Sequence, residues 1–188
     1  MIVIGGSLGG SRALREILLR LPEDFSLPIA VVLHRHRDGD ELLRDYIQRD
    51  CALPIVDVED KIPVEAGRVF LCPPDYHLML EDGCFSLSTD ELVNFARPSI
   101  DALFESAAEW SGRAAIAVVL TGGGFDGAAG AKRIQERGGI VIVQDPKTAE
   151  GLWMPTAALN ATKTRHVKSL EGIATALIRL AARRRRMS

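Results

Sequence analysis

Short apolar runs alternate along the chain with segments whose apolar positions recur every three or four residues. The runs cover residues 1–4, 29–33, 54–58, 68–71, 114–120 and 140–143, and consecutive apolar positions predict strands buried on both faces. Between them lie helical spacings: Leu14, Ile17, Leu18 and Leu21; then Leu42, Leu43, Tyr46 and Ile47; and, near the end, Ile173, Leu177 and Leu180. Residues 98–111 put Ile100, Leu103, Phe104, Ala107 and Ala108 on one helix face, and residues 127–137 predict a helix of small side chains able to lie close to a sheet. Strands that alternate with helices predict an α/β fold: a doubly wound, mostly parallel sheet with helices on both faces. Asp82-Gly83, set between the apolar stretches 78–80 and 84–87, adds a small antiparallel hairpin.

No repeat or linker interrupts this pattern, so the 188 residues read as one domain. The expected core spans residues 1–182, with a solvated basic tail over 183–188. Hydrophobic residues are 47% and charged residues 26%, which suits a packed core and argues against wholesale disorder. No apolar run is long enough for a membrane helix, and the chain opens without the pattern of a signal peptide. Net charge is −2, and four of the 23 basic residues are the single run Arg183 to Arg186. The rest of the chain is therefore acidic, which argues against nucleic acid as a partner. Cys51, Cys72 and Cys84 lack paired spacing, so neither a zinc site nor a disulfide framework is expected, and a reducing cytoplasm fits.

In a parallel sheet of this kind ligands bind at the carboxyl ends of the strands. Three polar residues stand just past such ends: Ser7, His34 and Asp126. These are the parts of a hydroxyl nucleophile, its general base and the carboxylate that orients the base. Ser7 lies in Gly5-Gly6-Ser7-Leu8-Gly9, a G-x-S-x-G turn between a strand and a helix. The same turn could be an ordinary helix start capped by Ser7 or Ser11. Read as a dinucleotide fingerprint, it puts Ser7 where a glycine belongs, and His34-Arg35-His36 stands where an acidic residue is expected. His34 and His36 share strand parity; His34, nearer the apolar strand, is the expected base. His77 and His166 begin apolar segments and read as structural. Asp126 has a second reading as the N-cap of the helix that follows it. As the orienting acid it would accept a hydrogen bond from His34 Nδ1, with Asp101 the next candidate for that role.

Several segments, in order, resemble the catalytic domain of the chemotaxis protein-glutamate methylesterases, the CheB family. They are Ile4-Gly5-Gly6-Ser7-Leu8-Gly9-Gly10, Val31-Val32-Leu33-His34, Cys72-Pro73-Pro74-Asp75-Tyr76-His77, Asn94 with Arg97-Pro98-Ser99 and Asp101, Leu120-Thr121-Gly122 through Gly130, and Met154-Pro155. The resemblance runs from Val3 to about Ala181. It implies a serine carboxylesterase that hydrolyses glutamate methyl esters on chemoreceptors and deamidates certain glutamines, with Ser7 as nucleophile, His34 as base and Asp126 as orienting acid. It also implies an oxyanion and substrate edge formed by Leu8, Gly123, Asn94 and Arg97, where Arg97 shapes the edge and does no chemistry. No metal or organic cofactor is implied. The expected partners are methylated cytoplasmic helices of chemoreceptors and a separate phosphoacceptor regulator, since no receiver domain is recognisable. The chain departs from the family at four positions near the expected site: Leu8 stands where Thr is frequent, Gly123 where Met is, and Phe95 and Ala96 where Arg and His are. A weakly catalytic receptor-binding module and a nucleotide-binding α/β domain are the alternative readings.

Overall fold

The computed structural model describes residues 1–34 and 41–186. Its main sheet has seven strands: β1 (Ile2–Gly6), β2 (Ile29–Leu33), β3 (Ile55–Asp57), β4 (Val69–Leu71), β7 (Ile116–Val119), β8 (Ile140–Gln144) and β9 (Val167–Lys168). The order is β3-β4-β2-β1-β7-β8-β9, and every pairing is parallel. The remaining strands, β5 (His77–Glu81) and β6 (Cys84–Ser88), form the antiparallel hairpin turning at Asp82-Gly83. The predicted run 29–33 is β2 unchanged; 54–58, 68–71 and 114–120 are trimmed at their ends, while 1–4 shifts to end at Gly6 and 140–143 lengthens to Gln144. The two-residue β9 was not visible in the hydrophobic pattern, because it is too short to show a period.

Among the described residues six α-helices cover the two faces: α1 (Gly10–Leu18), α2 (Glu41–Gln48), α3 (Ile100–Ser111), α4 (Ala128–Glu136), α5 (Trp153–Thr162) and α6 (Leu170–Arg185). Alternate residues of β1 divide the core. Ile2 and Ile4 pack with Leu14, Ile17 and Leu18 of α1 and Ile173 and Leu177 of α6. Val3 faces the other way, with Ile100, Leu103 and Phe104 of α3, Ile134 of α4 and Met154 of α5, where Leu78, Leu80 and Phe85 of the hairpin join them. The period of two within each strand thus becomes two helical layers around one sheet. On α2 the apolar face is narrower than the spacing predicts: Ile47 is fully buried but Leu42 is exposed. Helix α5 was missed by the pattern because Trp-Met-Pro-Thr-Ala-Ala-Leu-Asn-Ala-Thr carries no apolar stripe.

Most of the arginine run is helical and exposed. Helix α6 continues to Arg185; Arg184 donates to the Ala114 carbonyl at 2.7 Å and Arg185 to the Asp24 carboxylate at 3.0 Å. These bonds anchor the exposed last helical turn on two segments distant in sequence, while the buried core ends at Ala181. Among the described residues no helix is long and apolar enough to cross a membrane.

Helices α3 and α4 cross closely at Gly130, where a Cβ would lie 2.5 Å from Phe104 Cβ and 3.0 Å from the Asp101 carbonyl oxygen. Neither neighbour is a flexible side-chain end, so Gly130→Ala must push the two helices apart. The expected cost is about 1–3 kcal/mol of stability, read as a lower urea midpoint at unchanged m value. A neutral or stabilised variant would show that this crossing yields freely.

Candidate active site

The central strands carry the candidate residues to one edge. β1 and β2 are in parallel register with Gly6 opposite Leu33, so Ser7 and His34 are the next residues along adjacent strands. The ladder continues past the strand ends: His34 N–H donates to the Gly6 carbonyl at 3.0 Å, and Ser7 N–H donates to the Thr121 carbonyl at 3.0 Å on the β7 side. Ser7 therefore sits between the loops that follow β2 and β7, at the switch point of the sheet, where ligands bind in such folds. It caps no helix: the N-cap of α1 is Gly9, in the left-handed region at φ 74°.

Thr121 ties three loops together. Its Oγ1 donates to the Leu8 carbonyl at 2.9 Å and accepts the Gly151 N–H at 2.8 Å, while its own N–H reaches buried Gln144 Oε1 at 2.8 Å. The next residue must be glycine, because a Cβ at Gly122 would lie 2.8 Å from Met154 Sδ and 2.9 Å from Ser7 Cβ. At Gly123, by contrast, a Cβ would meet nothing within 4 Å. Only the first glycine of the triplet is needed for the close approach to Ser7. Among the described residues, neither the Leu8 nor the Gly123 N–H is given to a protein acceptor, and no hydrogen bond engages the Ser7 hydroxyl. Catalytic hydrogen bonds are often loose before substrate arrives.

Asp126 is the most heavily bonded side chain of the site. Its Oδ2 lies 2.8 Å from His34 Nε2 and accepts the Ile100 N–H at 2.7 Å. Its Oδ1 accepts from Asn94 Nδ2 at 3.0 Å, Ser99 Oγ at 3.0 Å, Asp101 N–H at 3.1 Å and Gly127 N–H at 3.1 Å. Burial alone would raise this carboxyl, but the bonds from His34, Asn94 and the backbone outweigh it and hold it down at about 2. The carboxylate also lies at the N-terminus of α3, where the helix dipole favours a negative charge.

Two expectations change here. Asp126 does serve a helix N-terminus, but the helix is α3, 25 residues upstream in sequence, where it takes the Ile100 and Asp101 N–H groups beside the N-cap Ser99; α4 has Gly127 as its N-cap without a side-chain bond. The histidine nitrogen that meets the carboxylate is Nε2 and not Nδ1. An ionised carboxylate only accepts, so Nε2 carries the proton and Nδ1 is the ring nitrogen left to act as a base. His36 lies outside the described residues. His77 is buried and structural, with Nε2 3.0 Å from the Glu91 carbonyl and Nδ1 accepting the Ser99 N–H at 3.2 Å; His166 is exposed.

The four residues expected along the oxyanion and substrate edge are not alike. Leu8 and Gly123 are exposed beside Ser7 and Gly122. Asn94 turns inward, donating to both Asp101 Oδ2 at 2.7 Å and Asp126 Oδ1. Arg97 commits most of its donors internally, to Asp75 Oδ1 at 2.9 and 3.2 Å and to the Thr89 and Asp90 carbonyls at 2.8 and 2.9 Å. It fastens the segment after the hairpin to the loop before it. Asp101 does not take the acid's place, since its oxygens receive Asn94 Nδ2 and, at 2.7 Å, the Gly130 N–H.

The model of the CheB methylesterase domain matches residues 2–177. The chain belongs to the CheB methylesterase family. It is similar to a Leptospira interrogans protein provisionally named protein-glutamate methylesterase/protein-glutamine glutaminase, at 46% identity over 95% of this chain and 93% of that one. An Anaeromyxobacter dehalogenans protein-glutamate methylesterase/protein-glutamine glutaminase is 38% identical over 94% of this chain but 52% of its own length, so the chain spans about half of that relative. The crystal structure of the Thermotoga maritima CheB methylesterase catalytic domain superposes with a TM-score of 0.91 at 34% identity, covering 95% of this chain and 97% of that one. Against the CheB pattern, the departures at Leu8, Gly123 and Phe95 fall on exposed positions. They alter the rim of the site and leave the buried network around Asp126 intact.

The two buried carboxyls of this network respond to pH in opposite senses. Burial raises the Asp101 carboxyl from 3.8 to about 6, with the Asp126 charge adding to the rise and the Gly130 N–H opposing it. The folded state therefore keeps that proton longer than the unfolded state, and stability falls as pH rises from about 4 to 6, by up to ~3 kcal/mol. The depressed Asp126 carboxyl contributes fully above about pH 4, and its contribution is lost as pH falls toward 2. Urea unfolding across this range should show the decline in the wild type and its absence in Asp101→Asn. Parallel curves for the two proteins would overturn the assignment.

Proposed function

We propose that this chain is a cytoplasmic serine carboxylesterase that hydrolyses glutamate methyl esters on chemoreceptor helices, and the amide of certain glutamines, with Ser7, His34 and Asp126 as its triad. The observation that carries the reading is the 2.8 Å contact between His34 Nε2 and Asp126 Oδ2, with Ser7 level with His34 just past the end of the neighbouring strand. The family membership supports the substrate class and a phosphoacceptor regulator as partner.

In this mechanism Ser7 Oγ attacks the ester carbonyl while His34 Nδ1 takes its proton. The imidazolium so formed is stabilised by Asp126, which is already ionised and already bonded to Nε2. Charge on the tetrahedral oxygen is met by the unpaired N–H groups of Leu8 and Gly123. The proton on Nδ1 passes to the departing methanol, or to ammonia when the substrate is an amide. Water, deprotonated by the same nitrogen, then hydrolyses the acyl-enzyme and restores the Ser7 hydroxyl.

Ser7→Ala removes one oxygen at a half-buried turn and should keep the fold while lowering methanol release from methylated receptor by about 10³-fold or more. Fluorophosphonate labelling mapped by mass spectrometry separates the alternatives: a modified Ser7 supports the hydrolase, and an unlabelled chain supports a binding module. Residual activity within about tenfold of wild type would exclude the covalent route.

The choice of base has its own test, in paired variants assayed side by side. His34→Gln should fall as far as Ser7→Ala, while His36→Gln should stay within about fivefold of wild type. An inactive His36→Gln beside an active His34→Gln would transfer the role to His36.

A further inference from the structure

Asn94 lies in a tight turn closed by reciprocal backbone bonds between Val93 and Ala96, at 3.2 and 3.0 Å. Both Asn94 and the fully exposed Phe95 are in the left-handed region, at φ 52° and 61°. Two adjacent non-glycine residues hold that conformation only when their surroundings impose it. What imposes it is visible on the Asn94 side chain. Its amide nitrogen reaches Asp101 Oδ2 at 2.7 Å and Asp126 Oδ1 at 3.0 Å, so both amide hydrogens are spent on two carboxylates. Those carboxylates are buried, with 4% and 3% of each residue exposed. Like charges placed so close to each other in a dry site drive one of the pair to take a proton. Asp101 is the one that takes it in acid, and above about pH 6 both charges stand side by side, held by the donors around them. Both oxygens of Asp101 face N–H donors, from Asn94 and Gly130, and Asp126 is surrounded by donors on both of its oxygens.

We infer that Asn94 is a positioning residue for the hydrolysis: its amide bridges Asp126 and Asp101, holds the two side chains in place beside each other, and so fixes the acceptor on which His34 Nε2–H rests. The inference rests on the triad reading above. It replaces the expectation that Asn94 lines the substrate. The titratable groups facing this cluster are His34 beyond β2, Asp101 and Glu105 on α3, and Asp126 itself. His77 of β5 is engaged by Ser99, and Arg97 is paired with Asp75 beside the turn.

The decisive variant is Asn94→Asp, which keeps the shape but exchanges the NH₂ donor for an oxygen. Between two carboxylates the introduced carboxyl will hold its proton well above the usual range for an aspartate. When protonated it can donate to one neighbour; when ionised it repels both. At pH 8 we expect a loss of about 10²-fold in kcat with KM within about twofold. The ratio of kcat/KM for variant to wild type should rise at least tenfold between pH 8 and pH 6; taking the ratio removes the pH dependence common to both proteins. A ratio flat across pH, a loss carried by KM, or wild-type activity at pH 8 would each overturn the inference, the second by placing Asn94 on the substrate.

A readout without substrate keeps this test apart from the triad reading. The His34 Nε2–H proton resonance should be present in wild type, weakened in Asn94→Asp at pH 8 and restored at pH 6. If Ser7→Ala proves active, the triad reading fails while this resonance still tests the positioning. If Asn94→Asp does not fold, Asn94→Asp combined with Asp101→Asn carries one carboxylate fewer. That double variant should fold and show the resonance at pH 8, and its absence from the folded double variant would also overturn the inference.

Discussion

A single buried anion organises the catalytic edge of this fold. Six donors among the described residues converge on the Asp126 carboxylate, from the loop after β2, the turn before α3, the first turn of α3 and the start of α4. An unpaired carboxylate could not remain ionised at that depth, and without it the Ile100 and Asp101 N–H groups at the start of α3 would lack their acceptor. Each problem answers the other. The consequence is that the architecture and the candidate chemistry share the same two oxygen atoms. Altering this side chain removes the acceptor of two helix N–H groups, a buried charge and the partner of an imidazole at once, so neither its structural nor its chemical part can be weakened alone.

The anion can serve His34 because the sheet supplies register. Parallel pairing of β1 with β2 and β7 brings three strand ends level, and the bonds at Ser7 and His34 carry that pairing one residue into the loops. Thr121 and the absence of a side chain at Gly122 then let the loops after β1, β7 and β8 touch. Placement of the hydroxyl is thus a property of backbone ladders, among the most rigid parts of a protein.

Much of this was legible in the sequence. Apolar runs on both faces mark a covered parallel sheet, and residues following such runs fall on its ligand-binding edge, which is why Ser7, His34 and Asp126 stand out. What was not legible depends on contacts between distant segments. That Asp126 takes the first N–H groups of α3 follows from the packing of α3 against α4, and no local signal distinguishes it from a cap on its own helix. The inward turn of Asn94 and the internal bonds of Arg97 likewise need the hairpin and α3 in place. The ring nitrogen that meets the carboxylate depends on side-chain approach, to which spacing along the chain is blind. Helix α5 lacks an apolar stripe because it is wedged among α4, β7 and β8 and is not laid across a surface.

Adjacent glycines in the loop after β7 stand under opposite constraints. Gly122 admits no side chain, while Gly123 borders open space and is exposed beside the serine. The loop therefore contains one position closed to variation and, immediately next to it, one whose Cβ would enter open space. Related chains can diverge at Gly123 to reshape the mouth of the site while inheriting the same interior, so selectivity can evolve here separately from folding.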